Sequence, residues 1–302
     1  MDWDTFLWDM QKDSYKSLIH LHFLIFLWGF TSIFGALIDL NPLLIVWLRL
    51  SIAAVLIFIF LFIFYKDALK FGNLSILKFL LGGFLISIHW YLFFYSIKIS
   101  SISLTLSILS TASLMASFLE PLLYKRPFMI HELLFGLIAI VGLLIIFGIQ
   151  SESYFAIFIS LVCTLLSVLF SLLNGYLIKK HSSFQISFYE IIFGLFVISV
   201  IIFFSDTKLS LLKSINSSNW IYIFILGSLC TAYAFVASTH ILKFITPYTM
   251  MMSLNLEPVY GIFFSLIILG EKEYMDSQFY IGALIILLGV IGNIIFKFKK
   301  IS

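Results

Sequence analysis

Long apolar runs alternate with short polar connections along the whole chain. Ten runs of about 20 residues can be drawn, the length that an α-helix needs to cross the hydrocarbon core of a bilayer. They cover residues 18–38, 43–65, 76–97, 101–123, 132–150, 154–178, 184–204, 220–242, 248–270 and 277–297. Strands of a membrane barrel alternate apolar and polar positions, whereas these runs are continuously apolar. The pattern therefore predicts an all-α integral membrane protein with ten transmembrane helices.

Composition agrees with this class of protein. The chain is 62% hydrophobic and 11% charged, whereas a soluble domain is about half apolar and a quarter charged. The acidic and aromatic N-terminal segment has no small-residue cleavage site, so we expect no cleaved signal peptide. Cys163 and Cys230 lie within apolar runs and indicate neither a disulfide framework nor a metal site.

Basic residues predict how the helices are oriented. If the N-terminus is cytoplasmic, most lysines lie in cytoplasmic segments, and the lysines left outside are Lys98, Lys208, Lys213 and Lys272. The positive-inside rule then places both termini in the cytoplasm. We expect the protein to lie in the inner or plasma membrane of the cell.

The chain also resembles itself. A shift of 145 residues places Leu81-Gly82-Gly83 over Leu226-Gly227-Ser228, and a shift of 146 places Gly136 over Gly282. We therefore predict a cytoplasmic segment at 1–17, five-helix repeats at 18–150 and 151–298, and a cytoplasmic tail at 299–302. An odd number of helices inverts the second repeat in the membrane, and inverted repeats are typical of alternating-access transporters with a site at the repeat interface.

Two Glu-Pro dipeptides interrupt apolar runs, and we interpret them differently. Glu257 lies near the middle of its run, where a charge costs ~3 kcal/mol or more unless it faces a cavity or a partner. Pro258 is expected to open the helix there. Glu257 is then a cavity-facing acid or a structural hydrogen-bonding group. Glu120-Pro121 falls out of register with it, and we expect Glu120 to form an interfacial ion pair with Lys125 or Arg126.

Several short motifs occur along the chain at positions expected to be helical or to end a helix. They are Trp28-Gly29, Arg49, Tyr95-x-x-Lys98, Glu257-Pro258, Gly270-Glu271-Lys272 and the helix from Gly282 to Gly289. Together these motifs resemble the drug/metabolite transporter (DMT) superfamily, EamA type, although the proline that this family has in the first half is replaced around Ala112. The resemblance implies exporters of amino acids and other small metabolites, in which helices one to four and six to nine line the cavity and the fifth and tenth pack outside it.

Arg49 and Glu190 are opposite charges at related positions of the second and seventh predicted helices. Each is interpreted either as part of a buried ion pair or interfacial contact, or as a substrate ligand. Arg49 is the only arginine in a predicted span. Because a guanidinium stays charged and offers paired donors, it suits a substrate carboxylate.

The remaining candidates are a histidine, aromatic residues and amides. His89 either forms a hydrogen bond between helices or passes a proton, since an imidazole titrates near neutral pH. Asn174, Tyr233 and Asn255 either join helices or face the substrate. The predicted substrate-binding set is Trp28, Arg49, His89, Trp90, Tyr91, Tyr233, Asn255 and Glu257, and the predicted proton-coupling candidates are Glu257, His89 and Glu190.

These features predict a secondary-active transporter that exports amino acids or similar small metabolites by alternating access, with proton coupling as a hypothesis. No catalytic constellation is recognised, so we expect no enzyme activity, no cofactor and no nucleic-acid partner. A membrane-embedded enzyme acting on lipid and a non-transporting scaffold are the alternatives. Nucleosides, sugars and organic cations also fit the aromatic candidates. The expected partners are the solute and the bilayer, and a homodimer is left open. The glycine rows are interpreted as sites of close helix packing, either within the chain or between subunits, and consist of Gly136, Gly142, Gly148 and Gly282, Gly289, Gly292.

Overall fold

The computed structural model describes residues 3–70, 75–147, 154–207, 209–270 and 276–301, and within these ranges it contains helices and no strand. One of the helices is a π-helix, Ser228–Tyr233, which joins the α-helices Ser217–Gly227 and Ala234–Ile241. The α-helices are α1 (Trp3–Leu37), α2 (Pro42–Phe64), α3 (Ile76–Ile99), α4 (Ile102–Leu109), α5 (Ala112–Tyr124), α6 (Ile130–Phe147), α7 (Tyr154–Leu177), α8 (Ser183–Phe204), α9 (Ser217–Gly227), α10 (Ala234–Ile241), α11 (Pro247–Leu254), α12 (Glu257–Leu269) and α13 (Ser277–Ile301).

Polar residues define where many of these helices begin. A side-chain oxygen at the residue before the helix accepts a hydrogen bond from a backbone N–H of the first turn, which satisfies a donor that has no partner within the helix. In α2 and α11 the first helical residue is a proline, whose missing N–H costs nothing at that position. The capping residues are Asn41, Ser101, Ser182, Asn216 and Thr246.

Eight helical stretches within the described residues are long and apolar enough to cross a membrane. They correspond to the predicted spans other than 132–150 and 277–297, where α6 and α13 lie instead, with residues 148–150 outside the described ranges. The first helix begins at Trp3 and therefore extends beyond the N-terminal end of the predicted span; the cytoplasmic segment 1–17 stays a prediction. The all-helical membrane class is confirmed, and the ten-span layout stays a prediction.

Two of the spans are broken near their middle. One span is α11 and α12 with the break at 255–256, where Pro258 has no N–H to donate to the carbonyl of Leu254. The other span is α4 and α5 with the break at 110–111, which the sequence analysis did not predict because no proline is present. Here the hydroxyls of Ser110 and Thr111 donate to the carbonyls of Leu106 and Ile108 and so compete with the helical hydrogen bonds.

The broken spans are matched in length and lie against each other. α4 and α11 have 8 residues each, and α5 and α12 have 13 each. α4 packs against α12, and α5 packs against α11. At the breaks, Nδ2 of Asn255 donates to Oγ of Ser113 over 2.9 Å. The two irregular segments therefore meet inside the helix bundle.

Glycines let several helix pairs approach closely. A Cβ at Gly142 would lie 2.6 Å from the carbonyl oxygen of Gly282, and one at Gly289 would lie 3.1 Å from Ile138. α6 and α13 thus pack on each other through the two predicted glycine rows. Close helix packing is confirmed for these glycines, and the contact is made within one chain. Gly148 lies outside the described residues.

A buried ionic cluster joins α5, α6 and α11. Nε of Arg126 donates to Oε1 of Glu120 over 2.9 Å, and Nη2 donates to Glu132 over 2.6 Å. The second oxygen of Glu120 accepts from the backbone N–H of Tyr248 over 2.6 Å, in the first turn of α11. The predicted ion pair of Glu120 is confirmed with Arg126. The contact with the α11 N-terminus was not predicted.

Two clusters of buried apolar side chains fill the bundle. One is built mainly on α2, α3 and α8, and the other mainly on α7, α8 and α11. The indole of Trp28 packs against both clusters. This places Trp28 between the two packed regions, at the cavity described next.

Candidate functional site

A central cavity opens between the two apolar clusters. It has a volume of about 1010 Å³, including the part that is open to solvent. Its charged or titratable lining residues are Arg49, His89 and Glu257. Its aromatic lining residues are Trp28, Trp90, Phe93, Phe170 and Phe235. Its small polar lining residues are Thr31, Thr164, Ser167, Ser171, Asn174, Cys230, Ser238 and Thr239.

Arg49 reaches the cavity from α2 and is held on three sides. Its Nε donates to Oγ1 of Thr231, and its Nη2 donates to the carbonyl oxygen of Cys230 over 3.3 Å. Its guanidinium carbon lies 3.9 Å from the ring centre of Trp90, at cation–π distance. Nη1 has no hydrogen-bond partner among the described residues. A guanidinium fixed in this way keeps one nitrogen for a ligand.

The π-helix supplies the carbonyl that holds both Arg49 and Trp28. Nε1 of Trp28 donates to the carbonyl oxygen of Cys230 over 3.1 Å, the same atom that accepts from Arg49. Oγ1 of Thr231 in turn donates to the carbonyl of Leu226 over 2.6 Å. The wider turn of a π-helix leaves carbonyls without their usual helical donor, and such turns are frequent at functional sites. The sequence analysis predicted a regular helix here.

Glu257 begins α12 directly after the break and lines the cavity about halfway along its span. Its carboxylate has no hydrogen-bond or ion-pair partner in the part of the chain that the structure describes. It interacts electrostatically with Arg49. The structural alternative for this acid, a hydrogen bond to a neighbouring helix, is therefore not observed, and the carboxylate is available to the cavity.

His89 points from α3 toward α7. Its Nδ1 lies 2.9 Å from the carbonyl oxygen of Cys163. Because a carbonyl only accepts, Nδ1 donates, and a neutral imidazole then offers Nε2 as an acceptor. Since His89 lines the cavity, it brings an acceptor to the wall that faces Arg49 and Glu257.

Four of the predicted residues lie elsewhere. Tyr91 stacks on Tyr95 outside the lining, because adjacent residues of a helix point about 100° apart and Trp90 takes the cavity-facing position. Tyr233 is 42% exposed, and its hydroxyl lies 2.6 Å from Nε2 of His20. These placements correct the predicted roles of both tyrosines in the cavity wall.

Asn255 and Glu190 are also outside the lining of the central cavity. Asn255 is buried at the break and faces Ser113 of α5, beside a smaller apolar groove. Glu190 is fully buried on α8 and accepts from Nδ2 of Asn174 over 3.2 Å. Neither Arg49 nor Glu190 forms an ion pair with a described residue, and each is hydrogen-bonded to neutral groups instead.

A polar face of α7 was missed as part of the site. Its residues recur at spacings of three and four, which places them on one side of a helix. The same spacing is visible in the sequence, but the polar residues of the spans were considered singly, so this polar face was not predicted. It consists of Thr164, Ser167, Ser171 and Asn174. No arrangement of three or more His, Cys, Asp or Glu suited to a metal ion occurs among the described residues.

Comparison with known proteins identifies the architecture. A model of the EamA-like transporter family matches residues 17–148 and, a second time, residues 154–295. No curated protein matches the chain.

Solved structures also match, in 28 chains. One of them, a crystal structure described only as that of a protein, superposes with a TM-score of 0.70 at 12% identity and covers 91% of this chain and 95% of its own. Similarity at this low identity supports the fold alone.

Proposed function

Because this chain belongs to the EamA-like transporter family of the DMT superfamily and is a multi-pass membrane transporter, we propose that it exports amino acids or similar small metabolites by alternating access. The observation that carries the proposal is the central cavity, which is lined both by an incompletely bonded guanidinium and by a carboxylate without a partner among the described residues. A zwitterion offers one group to each of them.

The broken spans support alternating access. In transporters built from inverted repeats, discontinuous helices at the repeat interface form the site, and one repeat rocks against the other. Here the first half of each broken span packs against the second half of the other, as two antiparallel copies would. The ten-span inverted arrangement, with both termini cytoplasmic in the inner or plasma membrane, is part of this proposal.

Arg49 is proposed to bind the substrate carboxylate. Thr231, the Cys230 carbonyl and the Trp90 ring fix the guanidinium before the substrate arrives, so little rotamer entropy is lost on binding. Nη1 is the donor left for the ligand. The hydroxyl of Thr31, which lines the same cavity beside Cys230, is a second donor.

Glu257 is proposed to bind the cationic group of the substrate or, in its absence, a proton. Either partner neutralises the carboxylate and reduces the cost of enclosing it in a closed cavity. Because one carboxylate cannot hold both, outward movement of the substrate is exchanged for inward movement of a proton. His89 contributes an acceptor to the same wall and would bind a hydroxyl or ammonium group.

Uptake into proteoliposomes tests the substrate assignment. The probes are neutral L-amino acids and the matching amino-acid amides, which lack the carboxylate. We expect the purified protein to move the acids and not the amides, and the Arg49→Ala variant to lose this preference. Equal transport of acid and amide, or an unchanged preference in a folded Arg49→Ala variant, would reject the carboxylate site. Transport of nucleosides, sugars or organic cations alone would replace the substrate class.

A further inference from the structure

Glu190 forms a second polar centre beside the central cavity. It lies on α8 with no exposed surface. Its Oε2 accepts from Nδ2 of Asn174 over 3.2 Å, whereas its Oε1 has no partner in the described part of the chain. Oδ1 of Asn174 is buried and also lacks a partner there. The pair therefore contains two unsatisfied acceptors and one hydrogen bond.

The carboxyl group is held in a cradle that only glycine provides. A Cβ at position 82 would overlap with Oε1 of Glu190, and a Cβ at Gly83 would lie 2.6 Å from its backbone carbonyl oxygen. α3 and α8 are thus in contact at this point. Since the carboxyl is wedged against the α3 backbone, it has no room to turn toward another donor.

No cation of the described residues forms an ion pair with the Glu190 carboxylate. The elements packed against α8 include α2, α3, α10 and the turn Lys66–Leu69. No ion pair to Glu190 is formed by any of their side chains that the structure describes. Their charged and titratable groups, apart from the Tyr91 and Tyr95 phenols, are Arg49, Lys66, Asp67, Lys78, His89, Lys98 and His240.

A bound proton removes both the uncompensated charge of Glu190 and the shortage of hydrogen-bond donors at this pair. A buried carboxylate with a single neutral donor pays most of its desolvation cost, whereas a carboxylic acid carries no charge. The acid also gains an O–H donor, which is the group that the pair of acceptors lacks. Asn174 then donates to the carbonyl oxygen of the acid.

Asn174 connects this centre to the cavity. It belongs to the polar face of α7 and lines the cavity wall. Glu190 lies directly behind it. The Asn174 amide is therefore the group that stands between the carboxyl and the cavity.

We propose that Glu190 is a second proton-binding site, separate from Glu257, and that Asn174 positions its proton and links it to the cavity. The proposal concerns the resting protein and does not depend on which solute is transported. Its failure is therefore distinguishable from failure of the transport proposal.

Infrared spectroscopy of the purified protein at neutral pH tests the proton directly. The difference between the parent and Glu190→Gln should show loss of one carboxylic C=O band, which shifts to lower frequency when the sample is transferred to D₂O. Asn174→Leu, similar in size, should move this band to higher frequency because the carbonyl loses its hydrogen bond. It should also slow exchange of the proton for deuterium severalfold.

The matched control is Glu257→Gln, which should leave the Glu190 band in place. If Glu190→Gln removes only carboxylate bands, the side chain is charged and the proposal is overturned. If Glu190→Gln does not fold, the Asn174→Leu spectrum decides instead, and carboxylic bands identical to those of the parent overturn the proposal. A shifted band with an unchanged exchange rate would reject the link to the cavity.

Discussion

Glu120-Pro121 and Glu257-Pro258 are the same dipeptide in two apolar helices, and the structure gives them opposite surroundings. Glu120 lies in α5, and both its oxygens are bonded, one to Arg126 and the other to the backbone N–H of Tyr248. Pro121 lies inside the helix. Glu257 begins α12, and its carboxylate faces the cavity without a partner among the described residues.

The comparison indicates that the role of a buried acid, structural or functional, depends on the hydrogen-bond partners of its carboxylate. Burial disfavours the charged guanidinium of Arg126, but its hydrogen bonds and its attraction to Glu132 and Glu120 outweigh this effect and raise the pKa of Arg126. A raised pKa of a cation stabilises the fold below the unfolded-state pKa and loses this effect only as pH rises through the folded-state pKa. The cluster therefore holds at every pH at which the protein would work.

The largest effect is expected when the ionic cluster is broken. Arg126→Ala removes the cation from two buried carboxylates, Glu120 and Glu132, and should lower the free energy of unfolding by about 3 kcal/mol. Thermal unfolding in detergent measures it. Lys70→Ala is the matched control, because it removes the exposed Asp67–Lys70 pair, with side chains 89% and 77% exposed, and should leave the melting temperature close to that of the parent. Equal losses in the two variants would contradict the cluster's structural role.

Replacing each of the two glutamates by glutamine, one at a time, tests whether their structural roles differ. Glu120→Gln keeps an acceptor for Tyr248 but loses the charged bond to Arg126, and should destabilise the protein by about 1.5–3 kcal/mol. Glu257→Gln removes no bond within the described structure and should change stability by less than about 0.5 kcal/mol. The two melting curves, recorded side by side, measure the difference. A larger loss in Glu257→Gln would show that this acid is structural after all.

At the level of transport, the contrast is tested at Arg49, which is buried and lines the cavity. Arg49→Lys keeps a charge but loses the planar set of donors, and carboxylate transport should fall about 10- to 100-fold, corresponding to 1.5–3 kcal/mol for a hydrogen bond to a charged group. Its melting temperature should remain close to that of the parent. Initial uptake rates at several substrate concentrations provide the measurement, and parent-like kinetics would dismiss Arg49 as a ligand.

A smaller effect is expected at Thr231, which touches Arg49 through its hydroxyl. Thr231→Val preserves shape and removes the bond to Nε, so the apparent KM should rise about fivefold, near 1 kcal/mol, with kcat little changed. Thr231→Ser keeps the hydroxyl and should restore the parent KM. An equal rise in both variants would point to packing rather than to positioning of Arg49.

Much of the fold and part of the site were predictable from local pattern. Apolar runs predict helices because their length must match the bilayer, and Pro258 predicts a break because it lacks an N–H. Arg49 and Glu257 stood out because charges are costly in lipid, and the structure brings both to one cavity.

The rest depends on contacts between distant residues. At the break at 110–111 hydroxyls compete for helical carbonyls, and the π-helix presents one carbonyl to both Trp28 and Arg49, which lie 202 and 181 residues away in sequence. Neither the break nor the π-helix produces a periodic pattern of residues in the sequence. The exclusion of Tyr91 follows from the rotation of α3 about its axis, which only packing against α7 and α8 determines.

Uphill transport tests the central claim most directly, that Glu257 couples the movement of substrate to a proton. Parent and Glu257→Gln proteins in liposomes are compared for accumulation of a transported amino acid under an imposed pH gradient, and for exchange without one. The account predicts that the glutamine variant loses gradient-driven accumulation while the parent accumulates. A folded Glu257→Gln protein that accumulates substrate as well as the parent would contradict it.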